Sequence, residues 1–185
     1  MGILHSKSAN AIANIARLIL RHGQYLKQLV GTNPNCVRLG AWPRAFIKLA
    51  TSPDFAAMEW EAALEKLREC KLSKYCDFNL VNVIGENPKK QTFEVRILPS
   101  TLDAARIIRT GQVFEAILEW CASMPARSTR MPDSSEALMR ELRLPKNLVT
   151  CAPEANKYLF LLALGSIAFA IPPDTVRCVI MEDGQ

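Results

Sequence analysis

Residues 74–103 carry the clearest structural pattern in the chain, and they read KYCDFNLVNVIGENPKKQTFEVRILPSTLD. Two runs in this stretch, 75–83 and 92–98, are rich in the aromatic and β-branched residues that favour strands. Between them, the tetrapeptide Gly-Glu-Asn-Pro at 85–88 is a strong turn signal. The stretch therefore predicts an antiparallel β-hairpin.

The predicted hairpin determines which side chains project together. Successive residues of a strand point to opposite faces, so Glu94 and Arg96 share the face opposite to Val95. A hairpin that is symmetric about the Asn-Pro pair of the turn places Val81 opposite Glu94 and Asn79 opposite Arg96. We therefore expect Asn79, Glu94 and Arg96 to lie on one face of the hairpin.

Amphipathic helices are predicted on both sides of this hairpin. The first runs from about Ser8 to Val30, because apolar residues and one histidine recur at the three- and four-residue spacing of a single helical face. The members of this stripe are Ile12, Ile15, Ile19, His22, Leu26 and Leu29. Further helices are predicted at 43–50, 52–70, 102–122, 135–142 and 154–169, with a last short strand at 176–181. The fold class is therefore α+β, an antiparallel hairpin or sheet packed with several long helices.

Two short motifs mark the starts of predicted helices. Ser52-Pro53-Asp54 offers a capping hydroxyl, a proline at the first helical position and an acidic residue near the positive end of the helix dipole. Ser100 and Asp103 have the spacing of a capping box, with Asp in place of the usual Glu or Gln. Both motifs predict that a helix follows directly.

The overall composition is that of a globular protein with a mild positive charge. The chain has 185 residues, of which 49% are hydrophobic and 22% charged. Its 23 Lys+Arg and 18 Asp+Glu residues give a formal net charge of +5, which favours small anionic partners such as nucleotides or phosphates. This charge is low for a dedicated nucleic-acid binder, so nucleic acid is not expected as a partner. The weaker alternative is a nucleic-acid contact through Lys89, Lys90, Arg127 and Arg130.

Cysteine usage and hydropathy indicate a cytoplasmic protein that does not enter a membrane. The 6 cysteines are widely spread and form no Cys-x-x-Cys pair, which favours reduced thiols over disulfides or a zinc site. Residues 1–10 lack the features of a signal peptide. The most apolar segment, 158–171, is shorter than the roughly 20 residues that a membrane-spanning helix needs. We expect it to form a buried core helix.

The pairing of Glu94 with Arg96 on one strand face has two interpretations. A carboxylate can hold Mg²⁺, and a guanidinium can bind a phosphate or carboxylate through two parallel hydrogen bonds. Phosphoryl transfer uses both kinds of group around the transferred phosphate. The alternative is an ordinary pair on a solvated sheet surface, which contributes only about 0–1 kcal/mol to stability.

Three motifs in this region resemble a known enzyme family. The heptapeptide that begins at Lys74 resembles the Arg/Lys-Tyr-x-x-Leu-Asn-Leu strand of amidoligases. The Thr92-Phe-Glu-Val-Arg96 segment resembles their Glu-Phe-Arg strand, and Ser100-Thr-Leu-Asp103 resembles the Gly-Thr-Leu-Asp that opens their following helix. The order of the three motifs and the helix after them also agree with the family. The chain thus resembles the C-terminal catalytic half of an amidoligase, which has a glutamine-synthetase-like fold.

This resemblance implies ATP-dependent ligation of a carboxylate to an amine. ATP phosphorylates the substrate carboxylate, and the amine then attacks the acyl phosphate to form an amide or peptide bond. By position in the motifs, Glu94 is implied as a ligand of Mg²⁺, and Arg96 as the group that stabilises phosphoryl charge or holds substrate. Asn79, Lys74 and Tyr75 are implied to line the same face and to bind substrate or nucleotide. The implied cofactors are ATP and Mg²⁺, and the implied substrates are small-molecule or peptide carboxylates and amines.

The chain also departs from the amidoligase pattern at its N-terminal end. The family carries a His-x-His strand before its first long helix, and here His5 stands at the first position but Lys7 at the second. His5 is therefore a half-matched metal ligand, the alternative being a disordered terminus. The family also begins with a Glu-x-Glu strand. The Glu59 and Glu61 pair has the right spacing, but we expect both in a helix, where their directions diverge.

These departures predict a truncated or incomplete member of the family. We expect an amidoligase-like half-domain at 1–125 and a helical extension at 126–185, which could belong to the same domain. The implied partner is then a complementing N-terminal half or an oligomer. The alternative function is a non-catalytic helical interaction module, in which the stripe of the first helix binds a partner.

Overall fold

The computed structural model describes residues 8–33, 40–85, 92–125, 131–143, 166–170 and 177–181. In chain order, the elements within these ranges are α1 (Ala9–Val30), α2 (Arg44–Thr51), α3 (Pro53–Ala56), α4 (Trp60–Glu69), β1 (Phe78–Asn79), α5 (Val81–Ile84), β2 (Thr92–Val95), α6 (Ala104–Ser123), α7 (Ser135–Glu141), β3 (Ser166–Ala170) and β4 (Arg177–Met181). The described residues thus form a mixture of helices with a small antiparallel sheet. This confirms the α+β class.

Helix α1 is the centre of the helical part and was predicted to within one residue. The hydroxyl of Ser8 accepts a hydrogen bond from the backbone N–H of Ala11 at 3.1 Å, which caps the N-terminus. Helix α1 packs against α2, α3 and α6. The predicted stripe is core: Ile12, Ile15, Ile19, His22 and Leu26 are buried, and Leu29 is partly buried. A buried stripe cannot serve as a partner surface. The alternative function, a helical interaction module that binds a partner through this stripe, therefore has no support from α1.

The predicted helix from Ser52 to Cys70 is wrong in one respect, because it is broken into α3 and α4. The hydroxyl of Ser52 caps α3 as predicted, accepting from the backbone N–H of Phe55 at 3.3 Å. An unbroken helix would place Glu59 between Phe55 and Ala63 on the buried face, since these positions are four residues apart. The break leaves Glu59 exposed at the start of α4. Glu61 is also exposed, so this acidic pair provides no buried site.

The two-stranded hairpin is also corrected, because its first strand is much shorter than predicted. Strand β1 is only Phe78–Asn79, and the chain turns at once into the single helical turn α5. The side-chain oxygen of Asn79 accepts a hydrogen bond from the backbone N–H of Val81 at 2.9 Å, which starts this turn. The β-branched residues Val81 and Val83 therefore lie in a helical turn, against their strand propensity.

The register of the hairpin differs from the predicted one by two residues. Asn79 lies opposite Glu94, and Phe78 lies opposite Val95. Because side chains alternate with a period of two, a shift of two residues keeps every side chain on its predicted face. The shared face of Asn79 and Glu94 is therefore retained although the predicted partners are wrong.

The C-terminal part of the chain adds two strands to the sheet. The strand order is β1-β2-β3-β4, with every neighbouring pair antiparallel. The predicted helix at 154–169 is wrong at 166–169, which belong to β3, while 154–165 lie outside the described residues. Strand β2 is buried on both faces, so the backbone groups on its second edge need partners, and β3 supplies them. The last strand is confirmed at Arg177–Met181.

The two faces of β1 and β2 have opposite characters. Phe78, Phe93 and Val95 are buried on one face, where the ring of Phe78 lies 6.2 Å from that of Phe114 in α6. Helix α6 begins two residues later than predicted, and its cap is Asp103, which accepts from the backbone N–H of Arg106 at 3.1 Å. The capping-box role of Ser100 is therefore wrong. The opposite face of these two strands is polar and carries the candidate site.

No helix in the described ranges combines the length and the apolar character needed to cross a membrane.

Candidate functional site

The candidate site consists of four polar side chains of strands β1 and β2 and their continuations, arranged in two opposed pairs. Asn79 lies opposite Glu94. The pairing continues by one step, because the backbone N–H of Arg96 donates to the carbonyl of Asp77 at 3.0 Å. Residues two apart in a strand share a face, so Asp77, Asn79, Glu94 and Arg96 lie on the same side. The predicted grouping of Asn79, Glu94 and Arg96 is confirmed, and Asp77 joins it.

The carboxylate of Glu94 is enclosed by hydrogen-bond donors of the protein. Its Oε2 accepts from the side-chain amide of Asn79 at 2.7 Å and from Nη1 of Arg96 at 3.3 Å. Its Oε1 accepts from the side-chain amide of Asn82, which also donates to the hydroxyl of Thr92 at 2.9 Å. A buried charge is tolerated only when its hydrogen-bonding capacity is satisfied. Here three side chains do this.

The orientation of the Asn79 amide is determined by its two partners. Its Oδ1 accepts from the backbone N–H of Val81, and its Nδ2 donates to Glu94. A carboxylate cannot donate and a backbone N–H cannot accept, so the reverse orientation would lose both hydrogen bonds. Asn79 therefore holds Glu94 and starts α5 at the same time.

The Glu94 and Arg96 pair is not a solvated surface pair. Glu94 is 7% exposed, and the side chain of Arg96 is 22% exposed. The guanidinium is thus held against a buried carboxylate, on a side chain that is not fully enclosed. This geometry suits a cation that binds an incoming anion, because its position is fixed before the anion arrives.

The structure does not bring Lys74 and Tyr75 into this group. Both lie in the turn before β1, and Tyr75 is 60% exposed. The Lys74 ammonium lies over the Tyr75 ring, 5.3 Å from its centroid. The expectation that both line the strand face with Asn79 is wrong, because the strand begins only at Phe78.

The described residues do not by themselves make a magnesium site. Within them, no three His, Cys, Asp or Glu side chains come together in an arrangement that could hold a metal ion. Among the residues that the structure describes, Glu94 is the one acidic residue of its hydrogen-bonded cluster, and the adjacent Arg96 would repel a dication. Magnesium prefers several oxygen ligands in octahedral geometry, which one carboxylate already bonded to three donors does not supply. The other predicted ligand, His5, lies outside the described residues.

A second pair of charges, Lys27 and Asp77, lies beside the first group. The Lys27 ammonium forms an ion pair with the Asp77 carboxylate, and the two side chains are 23% and 17% exposed. This pair lines a cavity of about 220 Å³ between α1 and the segments 40–42 and 76–78. The backbone N–H of Gly40 donates to the carbonyl of Tyr75 at 3.0 Å, which joins the two segments that line the cavity opposite α1.

Sequence reasoning missed three of these residues. Asp77 is two positions before Asn79, so the alternation of a strand could have placed it on the polar face. Lys27 is one position after Leu26 in α1, and nothing local to it indicates its partner 50 residues away. Asn82 would point to the opposite face in a regular strand and reaches Glu94 only because α5 turns the chain.

The cysteine thiols of the described part of the chain are buried and poorly suited to nucleophilic chemistry. Cys70, Cys76 and Cys121 are free and buried, as predicted for reduced thiols. Burial raises the pKa of Cys76, which borders the cavity; a backbone hydrogen bond of Ser73 opposes this shift and the charge of Asp77 adds to it. Burial also raises the pKa of the Cys121 thiol far above its ordinary value. Because the thiolate is the reactive form, these groups are not expected to act as nucleophiles.

Comparison with models of known protein families, with curated proteins and with solved structures finds no match to this chain. The geometry of the polar face is therefore the basis for a functional assignment.

Proposed function

We propose that this chain acts in the ATP-dependent joining of a carboxylate to an amine, as amidoligases do, and that Arg96 binds the anionic group of the reaction. The observation that carries the proposal is the Arg96 guanidinium, held at 3.3 Å from the buried carboxylate of Glu94 on a side chain that is 22% exposed. The motifs at Lys74, Thr92 and Ser100 add the likeness to the family.

The proposed reaction needs a cation held in a fixed position, which stabilises negative charge as the phosphoryl group is transferred. A carboxylate oxygen of the substrate attacks the terminal phosphorus of ATP, and ADP leaves with the electrons of the broken P–O bond. The amine nitrogen then attacks the acyl carbon, phosphate leaves, and the amine loses a proton as the amide forms. Negative charge concentrates on the phosphoryl oxygens in the first step, where a guanidinium stabilises it. Arg96 is the proposed group.

Glu94 has a different role in this proposal from the metal ligand that the family resemblance implies. Its two oxygens accept hydrogen bonds from Asn79, Asn82 and Arg96. It is therefore a positioning residue, which holds the guanidinium in one orientation. Because the described residues do not fit a magnesium site, no step is assigned to a metal ion bound by Glu94.

The proposed substrates are a small-molecule or peptide carboxylate and an amine. The polar face carries groups for the phosphoryl chemistry, which is common to every substrate of such a ligase. The side chains that select one carboxylate or amine over another are not specified by this face.

The test is release of ADP from ATP in the presence of Mg²⁺ and pooled carboxylates and amines. The unmodified protein is compared with Arg96→Ala, Arg96→Lys and Glu94→Gln. Arg44→Ala is the matched control, because Arg44 is an exposed arginine at the start of α2. We expect Arg96→Ala to lower the rate by about 10²–10³-fold, the usual cost of removing a preorganised charge-stabilising group. The control is expected to keep the unmodified rate.

Two results would reject the proposal. One is an absence of ADP release that depends on both a carboxylate and an amine. The other is an equal rate for Arg96→Ala, Arg44→Ala and the unmodified protein, which would remove Arg96 from the reaction. The double variant Glu94→Gln with Arg96→Ala separates positioning from direct participation. A double variant no slower than Arg96→Ala alone means that Glu94 acts through Arg96, whereas additive losses mean that the two residues act independently.

A further inference from the structure

The cavity beside Lys27 and Asp77 has an apolar wall and a charged mouth. Trp42 is buried and Ile47 is half-buried, and the exposed Leu20 also lines the cavity. The indole N–H of Trp42 donates to the carbonyl of Phe78 at 2.7 Å, so the polar atom of this ring is already satisfied. The remaining surface of the ring is apolar. Such a cavity with a few polar groups is the usual form of a small-molecule site.

The charges around this cavity are balanced. Lys27 is paired with Asp77, and Arg21, which also lines the cavity, is paired with Asp133 at 3.0 Å. An incoming anion or cation alone would leave one member of the Lys27–Asp77 pair without an opposite charge. A ligand that carries both an ammonium and a carboxylate can satisfy both members at once, since Asp77 accepts from the ammonium and Lys27 donates to the carboxylate.

The size of the cavity limits the ligand further. Its volume of about 220 Å³ is below the roughly 300–1,000 Å³ of sites for drug-sized ligands. A single amino acid is small enough to enter this volume. The apolar lining selects an aliphatic side chain over a polar one, because burying an unpaired polar group costs free energy.

We propose that this cavity binds a free α-amino acid with an aliphatic side chain, with Asp77 holding the ammonium and Lys27 the carboxylate. The side chain of the ligand lies between Trp42 and Ile47. This proposal rests on the cavity alone and does not depend on the ligase activity proposed for Arg96.

Gly23 provides a way to close the cavity without disturbing the fold. It lines the cavity from α1, and a Cβ added there would meet only Cγ2 of Ile19, at 3.4 Å. A leucine at this position would extend into the cavity and is a better helix former than glycine. Gly23→Leu is therefore expected to block the ligand while the melting temperature stays the same or rises.

The experiment is isothermal titration calorimetry of the full chain with L-leucine and two analogues, each of which lacks one charge. 4-Methylpentanoate has no ammonium, and 3-methylbutylamine has no carboxylate. We expect leucine to bind at least tenfold more tightly than either analogue. Asp77→Asn should abolish the preference for leucine over 4-methylpentanoate, and Lys27→Met should abolish the preference over 3-methylbutylamine. Gly23→Leu should bind none of the three.

The proposal is overturned if leucine does not bind, if it binds no more tightly than either analogue, or if a folded Gly23→Leu protein binds it with unchanged affinity. A melting curve of each variant identifies any that does not fold, and Gly23→Leu then carries the test. Leucine binding in a protein that releases no ADP would keep this proposal and reject the ligase. ADP release that depends on Arg96, without leucine binding, would do the reverse.

Discussion

Two ion pairs, Glu94–Arg96 and Lys27–Asp77, differ in the hydrogen-bond partners and the surroundings that the fold gives their carboxylates. The Glu94 carboxylate is 7% exposed and is bonded to two asparagine amides as well as to Arg96. The Asp77 carboxylate is paired with Lys27 at the edge of a cavity. In the first pair the protein supplies the donors that the charge needs, so the acid is a fixed part of the structure. The second pair borders a cavity, and the proposal above assigns its two charges to a ligand.

The largest expected difference between the pairs is in their contribution to stability. Glu94→Ala leaves Arg96 without its partner and removes the acceptor for Asn79 and Asn82, so we expect it to lower the free energy of unfolding by about 3 kcal/mol. Asp77→Ala removes a pair with more access to water, and we expect a loss of about 1 kcal/mol. Urea denaturation of both variants measures the difference. Equal losses would contradict the comparison.

Asn79→Ala tests whether the carboxylate of Glu94 depends on its amide donors. The substitution removes the hydrogen bond to Glu94 and the acceptor for the backbone N–H of Val81. Two buried polar groups then lack a partner, so we expect a loss of about 2 kcal/mol. The control is Asn82→Ala, where the more exposed site allows water to replace the amide, and a smaller loss is expected. A change below the error of denaturation for Asn79→Ala would show that Glu94 does not need this donor.

Asp77→Asn is expected to have a small effect on stability, because the amide can still accept a hydrogen bond from Lys27. We expect the free energy of unfolding to fall by about 0.5 kcal/mol or less, within the range of partly exposed pairs. The matched variant of the first pair is Glu94→Gln, whose loss should be clearly larger. Thermal melting in low and high salt provides the measurement, and salt should reduce the contribution of the Lys27 pair more than that of the Glu94 pair.

Beside the cavity, a small gain in stability is expected instead of a loss. Gly23→Ala adds a methyl group that meets only Ile19, and alanine favours a helix over glycine by about 0.5–1 kcal/mol. We therefore expect a slightly higher melting temperature. The control is Gly31→Ala at the end of α1, where φ is +79° and a Cβ would lie 2.7 Å from Nη2 of Arg106. That variant is expected to melt at a lower temperature.

The helical part of the fold could be predicted because its signals are local. The stripe from Ile12 to Leu26 and the capping hydroxyl of Ser8 are sufficient to define α1. The sheet was less predictable, because the length of a strand depends on whether side chains compete for the backbone hydrogen bonds that would extend it. Val81 has strong strand propensity, but the side chain of Asn79 captures its backbone N–H and ends β1. The break before Trp60 likewise depends on keeping Glu59 out of the core, which is a tertiary effect.

The candidate site was predictable in part for the same reason. Alternation along β2 places Glu94 and Arg96 on one face whatever the register, so their grouping was available from the sequence. The family resemblance implies Lys74 and Tyr75 on this face, but both lie in the turn that precedes Phe78 and are not part of the strand. The Lys27–Asp77 pair joins α1 to the sheet across 50 residues, which no local pattern encodes.

The central claim is that Arg96 acts on an anion from a position held by Glu94. Chemical rescue of Arg96→Ala tests it most directly, with ADP release measured as millimolar guanidinium is added. We predict that guanidinium restores part of the lost rate in Arg96→Ala, because Glu94 and its asparagine donors still form a place for the cation. No restoration in Arg96→Ala, or an equal increase in the unmodified protein and in Arg44→Ala, would contradict the claim.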